Sequence, residues 1–456
     1  MNILFQNYYS WKLLSWESSS NSLCKMQKRL FKSVYVLDRN KSLQLQKLIL
    51  NSNCARLLAI REVTQLSVDK KIPGVDGKTS LTFLERFELN ESLKVNWNNW
   101  NPQSLRKVLI IKEKFSPANV KIPTISDRAW QCLVNFALEP AHEAVFSPYN
   151  YGFRLTYSVL EVQNFFFLNL CSQSNGYQKR ILKFNLLNIF RSFNHNYLME
   201  KILAPRSVKL GLFKLLKRGF ELGYPVDMIY SRSLKTLLSN IILDGIENIH
   251  TSIRFGYFLI YILKPKDNEL KIINEFNSHL LSSGLFLDDI EVKIFNYSNT
   301  GFDFLDWHFR LANCKEFLSV PTYENYQKFL LRVKRIVNNS NYGSLVKTNK
   351  LCSIIKDWRV YHKYANLDTL RYNLFFIKKR AFKAFNSESK QDFYSTKRLL
   401  DKCFYVLTDL DKKVLDPKFM VSSCYGHMTF WFGTKSLDNN TACSSYFCIH
   451  CGMNVF

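Results

Sequence analysis

The stretch SIRFGYFLIYILKPK, residues 252–266, decides how the middle of this sequence folds. Phe255 to Leu263 form an unbroken apolar run rich in aromatic and β-branched side chains, and charged residues and a proline follow it. Such a run predicts a buried strand. On both sides of it, short apolar segments alternate with helical stretches, as in KVLIIK (107–112), ILKFNLL (181–187) and GFDFLDWHF (301–309). This alternation predicts a mixed arrangement of helices and strands around the run.

The regions that flank this central part have helical patterns. Residues 25–66 place apolar side chains three and four positions apart, which predicts helices. From residue 321 to about 410 the pattern is helical again, with Phe329, Val333 and Val337 in an apolar stripe and basic residues on the other faces. After residue 416 the chain is rich in Ser, Gly and Asn and holds four of the eleven cysteines.

The charge of the chain indicates a polyanionic partner. The formal net charge is +26, which favours nucleic acid, with an anionic membrane surface as the other candidate. Residues 327–402 hold 18 Lys and Arg against 5 Asp and Glu. A solvated helical face would also explain these charges, but they are interleaved with aromatic residues, which favours RNA binding. The apolar runs are too short to span a bilayer, so we expect no transmembrane segment. The expected partner is nucleic acid and not a membrane.

Five blocks of sequence, in order, resemble one family. They are LQLQKLILNS (43–52), KKIPGVDGKT (70–79), KIPTISDRAWQCLVNFALEPAHEAVFSPYNYGFR (121–154), GFDFLDWHFR (301–310), and KFLLRVKRIV (328–337) with LCSIIKDWRVYHKYAN (351–366). Together they resemble the group II intron-encoded proteins, organelle type, in which a reverse transcriptase precedes a maturase domain X. The resemblance implies an α+β fold, with a right-hand reverse-transcriptase-like fingers-palm followed by an α-helical thumb/maturase X domain.

The resemblance also implies a division of the chain. The expected parts are an N-terminal helical extension (1–66), a degenerate fingers-palm (67–315), the thumb and domain X (316–415), and a variable cysteine-containing tail (416–456). The tail is expected to be a remnant of the start of an endonuclease.

The sequence departs from the family at the positions that carry polymerase chemistry. Polymerisation needs two divalent metals held by three Asp carboxylates. Here Asn185 stands at the first Asp position, and Gly256 and Tyr257 stand where the family has its paired Asp residues. The triphosphate-binding loop of the fingers has Ser116 and Ala118 in place of cations, and the nucleotide pocket retains only 237–240. We therefore expect a degenerate polymerase site and no enzyme activity.

Two acidic residues offer an alternative metal site. Asp288 and Asp289 are adjacent, but the segment around them resembles a family segment that binds no metal, and the sequence shows no third carboxylate for them.

Candidate RNA-binding residues follow from the resemblance in two groups. In the N-terminal extension they are Lys28, Arg29, Lys47 and Arg56, and in domain X they are Lys356, Arg359, Lys363, Arg371, Lys378, Lys379 and Arg380. Trp358 is predicted to pack in the core of domain X. Tyr361 and Tyr364 are candidates for stacking on bases, with core packing as the alternative for each.

The C-terminal cysteines have a pattern found in zinc sites. Cys448 and Cys451 have Cys-x-x-Cys spacing, and Cys443 with Cys424 (or His427) would complete a four-ligand site. A fragment without metal is the alternative. The other seven cysteines are scattered singly, which is typical of reduced thiols.

The function expected from these observations is that of an RNA-binding maturase. Such a protein assists splicing of a group II (or derived) intron by stabilising the folded RNA, and the Mg²⁺ of that reaction belongs to the intron. The expected partners are intron RNA or precursor mRNA, and host splicing factors. The alternatives are an active reverse transcriptase with an unusual metal site and a general RNA chaperone. The abundance of Phe, Tyr, Lys, Asn and Ile indicates an AT-rich coding sequence, which favours an organelle. The expected organelle is the chloroplast before the mitochondrion.

Overall fold

A computed structural model describes most of the chain. The described residues are 11–112, 115–155, 157–187, 189–191, 193–222, 233–286, 291–297, 300–312, 316–367, 375–389, 393–404 and 430–431.

The described helices and strands confirm a mixed α and β content. The helices are α1 (Trp16–Tyr35), α2 (Arg39–Asn51), α3 (Asn53–Arg61), α4 (Phe83–Asn96), α5 (Ile125–Glu143), α6 (Leu160–Leu170), α7 (His195–Lys201), α8 (Arg206–Lys217), α9 (Leu234–Leu243), α10 (Glu269–Ser282), α11 (Tyr323–Val337), α12 (Ser344–Tyr361), α13 (Phe375–Ser389) and α14 (Phe393–Cys403). The strands are β1 (Arg106–Lys112), β2 (Phe115–Ile122), β3 (Arg180–Asn185), β4 (Ser252–Phe255), β5 (Phe258–Leu263), β6 (Glu291–Asn296), β7 (Phe302–Phe304), β8 (Trp307–Leu311) and β9 (Phe317–Pro321).

The central apolar run forms a hairpin and not a single strand. Strands β4 and β5 are joined by a two-residue turn at Gly256 and Tyr257, because Phe255 pairs with Phe258. Gly256 has a φ of +61°, a conformation that glycine adopts without steric cost at the first position of such a turn. The prediction of one continuous strand is therefore wrong at this point. Apolar pattern alone does not reveal a turn that a single glycine makes possible.

The hairpin belongs to an antiparallel sheet of four strands in the order β4-β5-β3-β6. Strand β3 lies between β5 and β6, so each residue of β3 has a partner on both sides. Two further antiparallel sheets hold β1-β2 and β7-β8-β9. The last of these spans the predicted domain boundary at 315–316, because β9 pairs with β8.

Three groups of buried apolar side chains hold these elements together. The largest joins the N-terminal helices to α5 and to one face of the four-stranded sheet, and it includes Leu30, Ile49, Leu133 and Phe184. A second group fills the space between the other face of the sheet, α6 and the β7-β8-β9 sheet. The third lies within α11–α14. The N-terminal helices thus share a core with the sheet, while the C-terminal helices have their own.

The predicted helical stripe of α11 is confirmed. Phe329, Val333 and Val337 are buried, while Lys328 and Arg332 on the other faces are exposed. The period of 3.6 residues places every third or fourth side chain on one face, so the apolar positions meet the third core.

The block at 121–154 contains a helix start whose polar groups are satisfied within the protein. Thr124 caps α5 and accepts a hydrogen bond from the main-chain N–H of Asp127. The buried carboxylate of Asp127 accepts hydrogen bonds from the Trp100 indole (2.8 Å) and from the main-chain N–H of Gln103 (3.1 Å). Burial raises the pKa of Asp127, and these hydrogen bonds oppose that effect by stabilising the charged form. Hydrogen bonds to Trp100 and Gln103 thus hold the start of α5 against the preceding segment of the chain.

Candidate nucleic-acid interface

The structure brings the three predicted polymerase positions together. Asn185 is the last residue of β3 and pairs with Phe258, the first residue of β5. The next residue of the chain, Leu186, donates its main-chain N–H to the carbonyl oxygen of Tyr257 at 2.8 Å. Asn185 therefore lies beside the turn formed by Gly256 and Tyr257.

A buried ion pair holds the hairpin turn in place. Arg254 and Glu247 are both fully buried, and their Nε and Oε1 atoms are 2.5 Å apart. The Arg254 guanidinium also donates to Asn240 Oδ1 at 2.8 Å and to the carbonyl oxygen of Gly256 at 3.1 Å. One cation thus connects the turn to a helix and to the carboxylate that compensates its charge.

The loop after α5 closes against the same hairpin. The main-chain N–H of Tyr151 donates to the carbonyl oxygen of Arg254 (2.8 Å), and the N–H of Arg254 donates to the carbonyl oxygen of Tyr149 (2.9 Å). A Cβ atom added to Gly152 would lie 2.0 Å from the nitrogen of Gly256. Only glycine permits this approach of the two backbones, which accounts for Gly152 in the sequence Tyr-Gly-Phe-Arg at 151–154.

The side chains at the three positions do not fit a two-metal centre. Asn185 is a neutral amide, and its Oδ1 accepts from the main-chain N–H of Leu187 at 3.2 Å. Gly256 has no side chain, and the Tyr257 ring is buried with its hydroxyl donating to the carbonyl oxygen of Leu222 at 3.1 Å. Burial raises the pKa of Tyr257 to about 12, so the phenol stays neutral.

Across the residues described above, no group of three His, Cys, Asp or Glu side chains is placed to hold a metal. Asp288 and Asp289 lie outside the described residues, and so do residues 228–232 of the segment 228–240 in which the nucleotide pocket is predicted. Ser116 and Ala118 lie in β2, of which the structure describes the backbone at these positions. The retained end of the pocket, 237–240, lies in α9, where Asn240 bonds Arg254.

The N-terminal candidates divide into surface and interior residues. Arg29 on α1 and Lys47 on α2 are exposed, and Lys28 is half-buried with its Nζ 4.9 Å from the centroid of the Phe430 ring. Arg56 is 3% exposed. Its guanidinium donates to the Asn51 carbonyl oxygen (2.6 Å) and to the Asn53 and Asn90 side chains (both 3.3 Å). These contacts correct the expectation for Arg56, which packs α3 against neighbouring elements and has no accessible cation for RNA.

The C-terminal candidates lie mainly on the surface of α12 and α13. Lys356, Lys379 and Arg380 are exposed, Arg359 and Lys363 are half-buried, and Lys378 is half-buried and pairs with Asp401 of α14. Burial lowers the pKa of Arg359. Arg371 lies outside the described residues. Helices α11 and α14 also carry exposed basic residues; they are Lys328, Arg332, Lys334, Arg335, Lys397, Arg398 and Lys402.

The aromatic residues of α12 serve the core more than the surface. Trp358 is buried, stacks on Phe329 at 4.5 Å between centroids, and donates its indole N–H to Asn325 at 3.0 Å, which confirms the predicted core role. Tyr361 stacks on the buried Trp307 at 4.7 Å. Tyr361 and Tyr364 are both half-buried, and of the two it is Tyr364 that has a cation beside its ring, with the Lys363 Nζ 6.0 Å from the ring centroid.

Comparisons with known proteins identify the family. The chain is 52% identical to "Maturase-like protein 1" of Euglena gracilis, over 96% of each chain. It is 47% identical to the protein of the same name from Euglena longa, over 96% of this chain and 97% of that one. This chain belongs to the maturase-like protein 1 family. The predicted maturase identity is confirmed.

More distant comparisons concern parts of this maturase-like chain. Residues 11–93 match the family model described as the N-terminal domain of reverse transcriptase. "Protein YkfC" of Escherichia coli (strain K12) is 25% identical over 45% of this chain and 57% of its own length. A telomerase structure from Candida albicans covers 68% of this chain and 62% of that one, at 12% identity and a TM-score of 0.26, too low to carry an argument.

Two other expectations concern zinc and membranes. Cys424, Cys443, Cys448 and Cys451 lie outside the described residues, so the structure leaves the zinc prediction as it was. Of the helices described in this maturase-like chain, none has the length and hydropathy needed to cross a bilayer.

The sequence did not lead us to predict two pairs of charged residues near the hairpin, one of opposite and one of like charge. The first is the buried pair of Arg254 and Glu247. The second is Lys183 opposite Lys293 on β3 and β6. Lys183 precedes Asn185 by two positions, so the two side chains lie on the same side of the strand. The alternation of side chains along a strand could have indicated this from the sequence.

Proposed function

We propose that this chain is an RNA-binding maturase that assists the splicing of a group II (or derived) intron and does not polymerise DNA. Near full-length similarity to two proteins named maturase-like carries this proposal. The residues at the polymerase positions support the second half of it, because Asn185, Gly256 and Tyr257 provide no carboxylate for a metal.

The proposed mechanism is stabilisation of one RNA conformer. A folded intron packs phosphates closely, and cations that neutralise them favour that fold over open ones. Lys28, Arg29 and Lys47 would contact one element of the RNA, and the exposed basic residues of α11–α14 would contact the intron core. The chemical steps of splicing, with their Mg²⁺, belong to the RNA, so the protein needs no cofactor for chemistry of its own.

Finer features of the proposal follow the family resemblance. They are a fingers-palm formed by residues 67–315, a thumb and domain X at 316–415, an N-terminal extension, and a tail after 416 that binds zinc or is an endonuclease remnant. The proposed location is an organelle, the chloroplast before the mitochondrion, and host splicing factors are proposed partners.

A splicing assay tests the proposal. Precursor RNA with the candidate intron is incubated at a Mg²⁺ concentration at which the RNA alone splices slowly, with and without the purified full chain. Acceleration by the protein is expected, together with tighter binding to the intron than to a scrambled RNA of equal length. Equal binding to both RNAs would identify a general RNA chaperone.

Primer extension tests for polymerase activity. The purified chain is supplied with an annealed primer and template, deoxynucleotides, and Mg²⁺ or Mn²⁺, and incorporation equal to that of heat-killed protein is expected. Incorporation above that control would identify an active reverse transcriptase and overturn the second half of the proposal.

A further inference from the structure

Strands β3 and β6 place two lysines directly opposite each other. In the register of this antiparallel pair, Lys183 faces Lys293 and Asn185 faces Glu291. Side chains that face each other across two strands have Cβ atoms about 5 Å apart, and like charges in this position destabilise the pairing. We refer to these four residues, which include the predicted metal position Asn185, as the palm site. A lysine pair at this place requires a counter-charge to offset its repulsion, and Glu291 provides one for Lys293 through an ion pair.

The described surroundings of Lys183 supply little of that counter-charge. Its Nζ donates to the main-chain carbonyl oxygen of Asp303 at 2.7 Å and lies 5.9 Å from the centroid of the Phe258 ring. Among the described residues, no carboxylate lies within ion-pair distance of Lys183. The two nearby acids have other partners: Glu291 pairs with Lys293 at 2.5 Å, and Asp303 pairs with His308 at 2.6 Å.

The electrostatics of Lys183 agree with this picture. Burial lowers the pKa of Lys183, and the charge of Lys293 lowers it further, while Asp303 and Glu291 raise it in part. The ammonium is therefore held in a place where the protein stabilises it less than water does. An anion bound at the palm site would stabilise the Lys183 ammonium and offset the free-energy cost of its burial.

We infer that the palm site binds a backbone phosphate of an RNA strand through Lys183 and Lys293, at the place where polymerases of the resembling family hold metal ions. In such a polymerase the divalent metals supply positive charge to phosphates. Here two ammonium groups supply that charge, and the Asn185 amide, whose Nδ2 lies 3.5 Å from Glu291 Oε2, has a second N–H to donate. No bond is made or broken. This inference rests on the proposed RNA-binding function and names a ligand for the palm.

The position of β6 favours a polymer over a single nucleotide. Strand β6 is at the edge of the four-stranded sheet, and four of its six residues are exposed while the other two are half-buried. A strand of RNA can pass along such an open edge, with successive phosphates near the lysines. A free nucleoside triphosphate has the same phosphate chemistry and is the rival ligand that the test must separate.

Lysine acetylation of the full chain provides the first test. The protein is treated with an amine-reactive acetylating reagent alone, with a single-stranded RNA of about 20 nucleotides, or with ATP, and modified lysines are identified by mass spectrometry. RNA is expected to protect Lys183 and Lys293, while Lys271, which is 76% exposed on α10, stays reactive. Equal protection by ATP would overturn the RNA assignment, and unchanged modification with bound RNA would overturn the palm site.

Salt titration of variants provides the second test. The pair Lys183→Met and Lys293→Met is compared with Lys266→Met and Lys271→Met, two exposed lysines. The palm-site variant is expected to lower the slope of log affinity against log salt by about 0.7 for each lost phosphate contact, and the control pair to leave it unchanged. The melting temperature of the palm-site variant without RNA is expected to stay the same or rise, because a like-charge repulsion is removed.

The outcomes separate this inference from the function it rests on. A wild-type chain that does not bind RNA would overturn both. A wild-type chain that binds RNA, with the same salt slope in the palm-site variant, would overturn the palm site alone. A palm-site variant with a lower melting temperature would contradict the claim that the lysine pair is repulsive in the free protein.

Discussion

At the scale of single residues, the buried pair of Arg254 and Glu247 holds the hairpin turn in place. Replacing Glu247 by Gln removes the charge that compensates a fully buried guanidinium. We expect a loss of about 3–5 kcal/mol in the free energy of unfolding, measured by urea denaturation. The half-exposed pair of Arg180 and Glu269 provides the control, because Glu269→Gln should cost about 1 kcal/mol or less. Equal effects of the two variants would contradict this role of Arg254.

A buried histidine makes the stability depend on pH. His142 is 4% exposed and its Nε2 accepts the main-chain N–H of Leu203 at 3.3 Å, which requires a neutral ring. Burial lowers its pKa to about 3, with a smaller effect of Lys209, against 6.5 in the unfolded chain. The unfolded state therefore takes up the proton first as pH falls. The stability from the neutral ring is complete above about pH 6.5 and decreases toward pH 3.

His142→Gln tests this sign. Between pH 6.5 and 5 the wild-type chain should lose up to about 1.4 kcal/mol of unfolding free energy per pH unit through this one group. The variant lacks the group, so its free energy of unfolding should change less over the same range. Parallel pH curves for the two proteins, from urea denaturation at each pH, would show that His142 does not contribute.

At the scale of elements, the loop after α5 and the β4-β5 hairpin depend on one backbone contact. In Gly152→Ala, the new Cβ would lie 2.0 Å from the nitrogen of Gly256, so one element must move. We expect a destabilisation of about 1–3 kcal/mol or more, read from thermal or urea unfolding. Gly343→Ala is the matched control, since nothing lies within 4 Å of its added Cβ. Similar stabilities of the two variants would argue against a tight contact.

Helix α13 carries the basic cluster Lys378, Lys379 and Arg380. Their replacement by Ala together should weaken RNA binding and lower its salt slope, because each lost phosphate contact removes about 0.7–0.9 from that slope. Removing equal charge at the exposed Lys264, Lys266 and Lys271 controls for net charge. A cluster variant whose slope matches the wild type would identify these residues as a solvated face only.

At the scale of the whole molecule, a net charge of +26 predicts a strong dependence of RNA affinity on salt. With about six to ten phosphate contacts, affinity should fall by roughly 10³–10⁵ between 50 mM and 200 mM salt. Filter binding of the full chain to a fixed RNA across this range measures the effect. A shallow dependence would mean that most of the charge lies away from the RNA.

Much of the chain could be predicted because its signals are local. The apolar stripe of α11, with Phe329 and Val333, follows from helical period alone. The neutral character of the polymerase positions follows from the identity of Asn185, Gly256 and Tyr257. Composition alone likewise determined the excess of positive charge, since formal charge depends on residue type and not on folding.

Tertiary structure decided what depends on residues far apart in the chain. Arg56 is a basic residue of the type that contacts RNA, yet packing against α4 and the start of α3 places its guanidinium in the interior. Lys183 and Lys293 face each other only because β3 pairs with β6 in one register. Strand register and burial arise from contacts between distant segments, and no local pattern of side chains specifies which segments will meet.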